Sequence, residues 1–235
     1  MKNDQDYLQV SEKFYSIQGE GVTMGVPAVF LRLTGCNLLC QSESWICDTI
    51  EVWRKGKRTP FADVLSEDDV DALSDGAHLV ITGGEPMLHE KKIIKYLKWF
   101  EQEYKFKPYV EIETNGTIKP KEDLWLYVEQ FNVSPKLSTS GETKVRRINE
   151  NALKWFAQRN TIFKFVISTP TDVVELFTDF DIINERPSKI VLMPAGDDQD
   201  KLNKTRPMVM RLCMEQGLRY SDRLHIVAWN QKTGV

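Results

Sequence analysis

Three of the chain's four cysteines, Cys36, Cys40 and Cys47, sit together in "LTGCNLLCQSESWICDT". Thiolates are ligands for soft metal ions and iron–sulfur clusters. The group follows directly on an apolar stretch, "AVFLRL", that reads as a strand. From one loop the three can each present a thiolate to one face of a [4Fe–4S] cluster, which leaves one iron without a protein ligand and open to a small molecule. A structural zinc site wants four ligands, and no further Cys or His stands nearby in the sequence. Cys213 lies in a helical pattern and reads as a core residue, because free cysteine is among the most buried types. His78, just before a strand, reads as structural.

A second group of residues ends successive strands. "TGGEP" runs from Thr82 to Pro86, where Gly83 and Gly84 expose backbone edges to an approaching ligand and Glu85 offers a carboxylate for an ammonium group. "ETNG" (Glu113, Asn115) and "SPK" (Ser134, Lys136) place a carboxylate, an amide, a hydroxyl and an ammonium at equivalent heights on the next two strands. Arg32 interrupts the otherwise apolar "VFLRL", where an inward charge is costly unless paired.

The elements that must hold these tips are strands at 28–35, 78–84, 109–116, 131–136, 161–168 and 189–196. Between them lie helical patterns at "SEDDVDALSD", "HEKKIIKYLKWFEQEYKF", 121–130, 149–159 and 199–216. Strands that look apolar on both faces and alternate with helices imply a parallel sheet. Six such units predict an α/β fold of the incomplete (β/α)6 type, a partial TIM barrel, with its chemistry on the loops after the strands. Residues 50–60, "IEVWRKGKRTP", read as a basic surface excursion, a flap over a bound anion being the alternative, and "RLHIVAW" reads as a final strand.

The 235 residues fit one domain, 1–235. A hydrophobic share of 41% and a charged share of 28% are those of a globular chain, and a net charge of −3 offers no basic field for a polyanion. A small-molecule substrate is expected, with no direct nucleic acid and no membrane. The polar start lacks a signal-peptide pattern, which predicts a cytoplasmic protein. There thiols stay reduced and favour metal ligation over disulfides.

The cysteine loop followed by GGEP resembles the radical S-adenosylmethionine (SAM) enzymes. With "IQGEG", "CDT", "ETNG", "VSPK" and the ending "RLHIVAWNQKTGV", the chain more specifically resembles the 7-carboxy-7-deazaguanine synthase family over nearly its whole length. One departure stands out: six residues separate Cys40 from Cys47, where the superfamily usually has two. Looping out the extra residues costs little, about 0.6 kcal/mol per doubling of loop length, so all three cysteines are kept as ligands.

The resemblance implies a [4Fe–4S] cluster and SAM, which is cleaved to a 5′-deoxyadenosyl radical. Gly83, Gly84 and Glu85 would lie along the methionine moiety, with Asn115, Ser134 and Lys136 further along SAM. The substrate would be 6-carboxy-5,6,7,8-tetrahydropterin. The radical would take hydrogen from its C6, and the ring would contract with loss of ammonia. Gln18, Gly19 and Glu20 of "IQGEG", together with Glu113 and Asn115, would meet the pterin, and Arg32 its carboxylate; an ordinary structural ion pair is the plainer role for Arg32. His225 and the terminal Val235 would face the same place, although His225 would equally suit a core or interface. Thr49 would offer a hydroxyl to Mg2+. The family implies a homodimer and an electron donor such as flavodoxin. The alternatives are a small activase that makes a glycyl radical on a partner protein, and a non-catalytic iron–sulfur or zinc protein.

Overall fold

The computed structural model describes residues 6–42, 47, 50–184, 187–232 and 234. It holds a nine-stranded sheet in the order β3-β1-β2-β4-β5-β6-β7-β8-β9. The chain opens with a long strand, β1 (Tyr7–Ile17), which pairs antiparallel with β2 (Pro27–Leu33). The cysteine loop, α1 (Ile50–Trp53), β3 (Lys57–Pro60) and α2 (Glu67–Ser74) follow. From β2 onward every pairing between neighbours is parallel: β4 (His78–Gly83), β5 (Tyr109–Thr114), β6 (Gln130–Val133), β7 (Thr161–Ile167), β8 (Ile190–Pro194) and the short β9 (Arg219–Tyr220).

The crossovers are α3 (Glu90–Tyr104), α4 (Lys144–Arg147) with α5 (Glu150–Ala157), α6 (Pro170–Asp179) with α7 (Asp181–Asn184), and α8 (Gln199–Gln216). The last helix is α9 (Leu224–Trp229). The six strands read from the sequence are β2, β4, β5, β6, β7 and β8, and they form the partial barrel.

Strand alternation decides what the barrel contains. Leu31, Leu79, Ile112, Phe131 and Phe163 pack outward with Ile93, Phe100, Phe156 and Leu176 of the helices in one apolar cluster. Phe131 meets Phe156 at 5.4 Å and Trp155 at 5.6 Å between ring centroids, both edge to face. Such pairs add about 0.5–1.5 kcal/mol beyond their buried area. The strands are not apolar on both faces: Glu111, Gln130, Asn132 and Lys164 are buried, and with Glu113 they turn to the lumen.

Three local expectations change, and one strand is added. Residues 50–60 are no loop, because β3 finds the free edge of β1, with Leu8 opposite Thr59. β1 itself escaped the sequence reading because its mixed "YLQVSEKFYSI" is half-buried on both faces. No helix forms over 121–130, only a single 3-10 turn at Leu124–Leu126. The amides of Lys121 and Glu122 are taken by the Glu90 carboxylate at 2.9–3.1 Å, which pins that segment across the start of α3. "RLHIVAW" becomes α9 rather than a strand: Leu224 N donates to Gly19 O at 2.9 Å, and the amides of Ile226 and Val227 turn back to Arg223 O.

Candidate active site

A cavity of about 490 Å3 opens at the carboxyl ends of the parallel strands. The cysteine loop forms one wall. Cys36, Cys40 and Cys47 all line the cavity, and Cys47 N donates to Cys40 O at 3.1 Å, which closes the longer gap between these two cysteines. Burial pushes the Cys36 thiol up and the Cys40 thiol up to about 11, Lys136 opposing in both cases. The loop therefore asks for a cationic centre before it carries thiolates. Among the described residues no three such side chains converge on a point as a single ion requires. Three thiols around one cavity fit the corners of a cluster.

The loop is clamped from below by polar contacts. Asn37, next to Cys36, donates to Thr117 Oγ1 at 2.7 Å and accepts from Asn115 Nδ2 at 3.0 Å. Leu39 N donates to Glu142 Oε1 at 2.5 Å, and Arg146 donates to Asn37 O at 2.9 Å. Glu85 N donates to Gly35 O at 2.8 Å, which ties the loop to the GGEP turn.

Gly83 and Gly84 line the same cavity and meet the loop at close quarters. A Cβ on Gly84 would lie 2.3 Å from Gly35 O and 2.7 Å from Cys36 Cβ; one on Gly83 would lie 2.5 Å from Leu33 O. These glycines therefore seat the cluster loop as well as presenting a backbone edge. Asn115, Ser134 and Lys136 also border the cavity, Ser134 held by its amide on Thr114 O at 2.8 Å.

Glu85 sits differently from the expectation of a ligand-facing carboxylate. It is buried beneath the turn and accepts from Met87 N at 3.0 Å, Thr114 Oγ1 at 2.7 Å and Asn115 N at 2.8 Å. Burial raises its pKa, against these three donors. In this geometry its carboxylate braces the β4 and β5 tips.

The far wall is acidic and crowded with partners. Gln18 donates to Glu113 at 3.2 Å and to Glu111 at 3.4 Å. Glu20 receives Lys164 at 3.1 Å and Arg223 at 3.0 Å, with His225 Nε2 at 4.0 Å. Burial raises the Glu20 pKa, but Lys164, Arg223 and His225 outweigh it and hold the group well below the usual carboxylate range. Glu113 pairs with Lys164 at 2.7 Å. Burial pushes Glu113 up, Lys164 pulls it down, and Glu20 and Glu111 add to the upward push. Gly19 lies so close to His225 that a Cβ there would be 2.5 Å from the ring.

Arg32 lines the cavity and forms an ion pair with Glu12 at 2.7 Å. His78 stacks on Tyr109 and bonds the buried Glu111 at 2.6 Å, at the amino ends of the strands. Cys213 is part of the apolar core. Thr49 and Val235 lie outside the described residues.

Sequence reading missed Lys164, Glu111, Asn132, Arg223 and Asn37. Lys164 carried the same signal as Arg32, a charge amid the apolar "TIFKFVI"; the other four became visible only through their contacts.

Residues 17–134 match a family described as a 4Fe-4S single cluster domain. A 7-carboxy-7-deazaguanine synthase of Halobacterium salinarum is 34% identical, over 95% of this chain and 91% of its own. One of Pyrobaculum aerophilum is 30% identical over 97% of each chain. Among solved structures, QueE from Escherichia coli superposes with a TM-score of 0.64 at 26% identity, over 92% of this chain and 93% of its own. On these likenesses, which run nearly end to end, the chain belongs to the 7-carboxy-7-deazaguanine synthase family.

Proposed function

We propose that this protein converts 6-carboxy-5,6,7,8-tetrahydropterin to 7-carboxy-7-deazaguanine with loss of ammonia, as a radical SAM lyase in 7-deazapurine (queuosine-type) synthesis. The observation that carries the reading is one cavity with three thiols and the glycine edges on one wall and the Gln18, Glu20 and Glu113 acceptors on the other. Cys36, Cys40 and Cys47 would hold a [4Fe–4S] cluster with one iron left open, and Gly83, Gly84, Asn115, Ser134 and Lys136 would hold SAM. Glu85 supports that subsite by bracing Thr114 and Asn115. When bound, the cluster and SAM supply one-electron reduction and hydrogen abstraction at C6 of the substrate.

The chain's own residues do the rest. Glu20, kept ionised by Lys164 and Arg223, and Glu113 accept from the donor-rich edge of the ring. Gly19 lets the backbone come close, beside His225. Arg32 commits Nε to Glu12 and offers its terminal nitrogens to the substrate carboxylate. The walls keep water from a reactive intermediate.

Thr49 as a hydroxyl ligand to Mg2+, the terminal Val235 at the substrate, one domain over 1–235, a homodimer, an electron donor such as flavodoxin and a cytoplasmic setting are parts of the same proposal. Among the described residues no helix is long and apolar enough to cross a membrane. Neither the activase nor the non-catalytic alternative is favoured, since the relatives carry the synthase name.

The test is anaerobic reconstitution followed by incubation with SAM, reductant, Mg2+ and carboxytetrahydropterin. Chromatography should yield the deazapurine and equimolar ammonia. Protein that holds its iron and cleaves SAM but forms no deazapurine refutes the substrate.

A further inference from the structure

Lys164 is 1% exposed, in the middle of a strand whose Val166, two residues on and on the same face, borders the cavity. An ammonium taken out of water costs several kcal/mol unless it is paired and fully hydrogen-bonded, as a rough scale. Its Nζ lies 2.7 Å from Glu113 Oε2 and 3.1 Å from Glu20 Oε2. The two carboxylates come from different places, Glu20 from the β1–β2 connection and Glu113 from the end of β5, and Lys164 joins them. Gly21 packs against its stem, a Cβ there being 3.3 Å from Lys164 Cδ, which leaves the side chain little freedom to turn elsewhere.

The two carboxylates are not held alike. Glu20 has a second cation, Arg223, which is itself anchored on Gly196 O at 2.6 Å. The other oxygen of Glu113 accepts from two neutral amides, Gln18 at 3.2 Å and Asn132 at 3.0 Å. The same two amides also serve Glu111, so a like charge sits just below.

We propose that Lys164 is a positioning residue that holds Glu20 and Glu113 as one oriented anionic pair and so sets the cavity's affinity for a ring with a donor-rich edge. The inference rests on the substrate reading above. Lys164 faces Glu113 from β5 and Glu20 from the β1–β2 connection; Glu111 and the neutral Asn132 lie next to Glu113, and Arg223 and His225, beyond β9, lie across Glu20. Without the ammonium, Glu113 keeps two anionic neighbours and neutral donors only, so it takes up a proton at higher pH and loses an acceptor. Among the described residues the ion pairs of Lys164 are with Glu20 and Glu113, so the SAM end of the cavity keeps its function.

The experiment compares reconstituted wild type, K164M, K164R, E113Q and the double variant E113Q/K164M. It reads KM and kcat for carboxytetrahydropterin, the pH profile of kcat/KM, and 5′-deoxyadenosine formed with reductant in the absence of pterin. K164M is expected to cleave SAM within about twofold of wild type, to raise KM at least tenfold, and to move the acid limb of kcat/KM to higher pH; K164R restores the limb. Should K164M fail to fold, the double variant removes both charges and folds, with a KM no worse than that of E113Q alone, because Glu20 still keeps Arg223 and the effect of Lys164 on affinity runs through Glu113. A K164M enzyme with KM within twofold and an unmoved limb overturns the role, as does a double variant whose losses add. Wild type that makes no deazapurine overturns the substrate reading and this inference together; active wild type beside a normal K164M overturns this inference alone.

Discussion

At the scale of single residues, Gly84 has the narrowest tolerance at the site, because its missing Cβ is the space in which the cysteine loop rests. The obstructing atoms are a carbonyl oxygen and Cys36 Cβ, neither of which belongs to the far end of a flexible side chain. Gly84→Ala should therefore push the loop off the β4 tip at a cost of about 1–3 kcal/mol. The expected result is reconstituted protein with less than half the wild-type iron and sulfide per chain and a lower melting temperature. Full iron loading with wild-type melting contradicts this seating. The first glycine of the pair meets Leu33 O, so the motif doubles as a packing contact between β2 and β4.

At the scale of elements, the cysteine loop is positioned by what lies under it. Asn37 joins the loop to the turn after β5 through Asn115 and Thr117, while Glu142 and Arg146, just before and within α4, grip Leu39 and Asn37 from the other side. Asn37→Ala removes two of these bonds and leaves partly buried amide and hydroxyl groups without that partner, worth about 1–3 kcal/mol. Most of the loss should appear locally. Cluster release to an iron chelator is expected to run several-fold faster in the variant, with melting of the cluster-free protein lowered by only a few degrees. Equal release rates would mean that the grip from Glu142 and Arg146 suffices. The β1–β2 hairpin is the other positioning element: stacked Phe14 and Phe30, 4.9 Å apart, line the cavity between its two walls.

At the scale of the whole molecule, Glu20 connects three distant parts of the chain, since its partners Lys164 and Arg223 are 144 and 203 residues away. Its pKa is depressed on folding, so its contribution to stability is complete above the unfolded value of about 4.3 and is lost as pH falls from there toward the folded value. Glu113 and Glu85 have raised pKa values and run the opposite way, gaining relative stability as they protonate. Glu20→Gln leaves two buried cations short of a partner and should cost about 3–5 kcal/mol at neutral pH. Urea unfolding of both proteins between pH 7 and pH 3 is expected to show that gap holding above about pH 5 and narrowing below about pH 4. A gap that stays constant to pH 3 would remove Glu20 from the acid response.

The chemistry and the class of fold were legible in the sequence because both are local. Cysteine spacing, strand tips ending in Gly, Ser or Pro, and the alternation of apolar strands with helices depend on residues near each other in the chain. Where local pattern and tertiary demand diverged, the tertiary structure decided. "RLHIVAW" has strand composition, yet the amide of Leu224 is taken by Gly19 O and the stretch turns into a helix. Residues 57–60 look like a loop until the open edge of β1 supplies a ladder. Glu85 reads as a ligand-facing acid until three donors from its own turn and the β5 tip enclose it. The acidic wall is the fullest case. Glu20, Glu113, Lys164 and Arg223 come from separate elements, and their charges become one unit only when the barrel folds, because an ion pair is a property of distance in space and leaves no periodic trace along the chain.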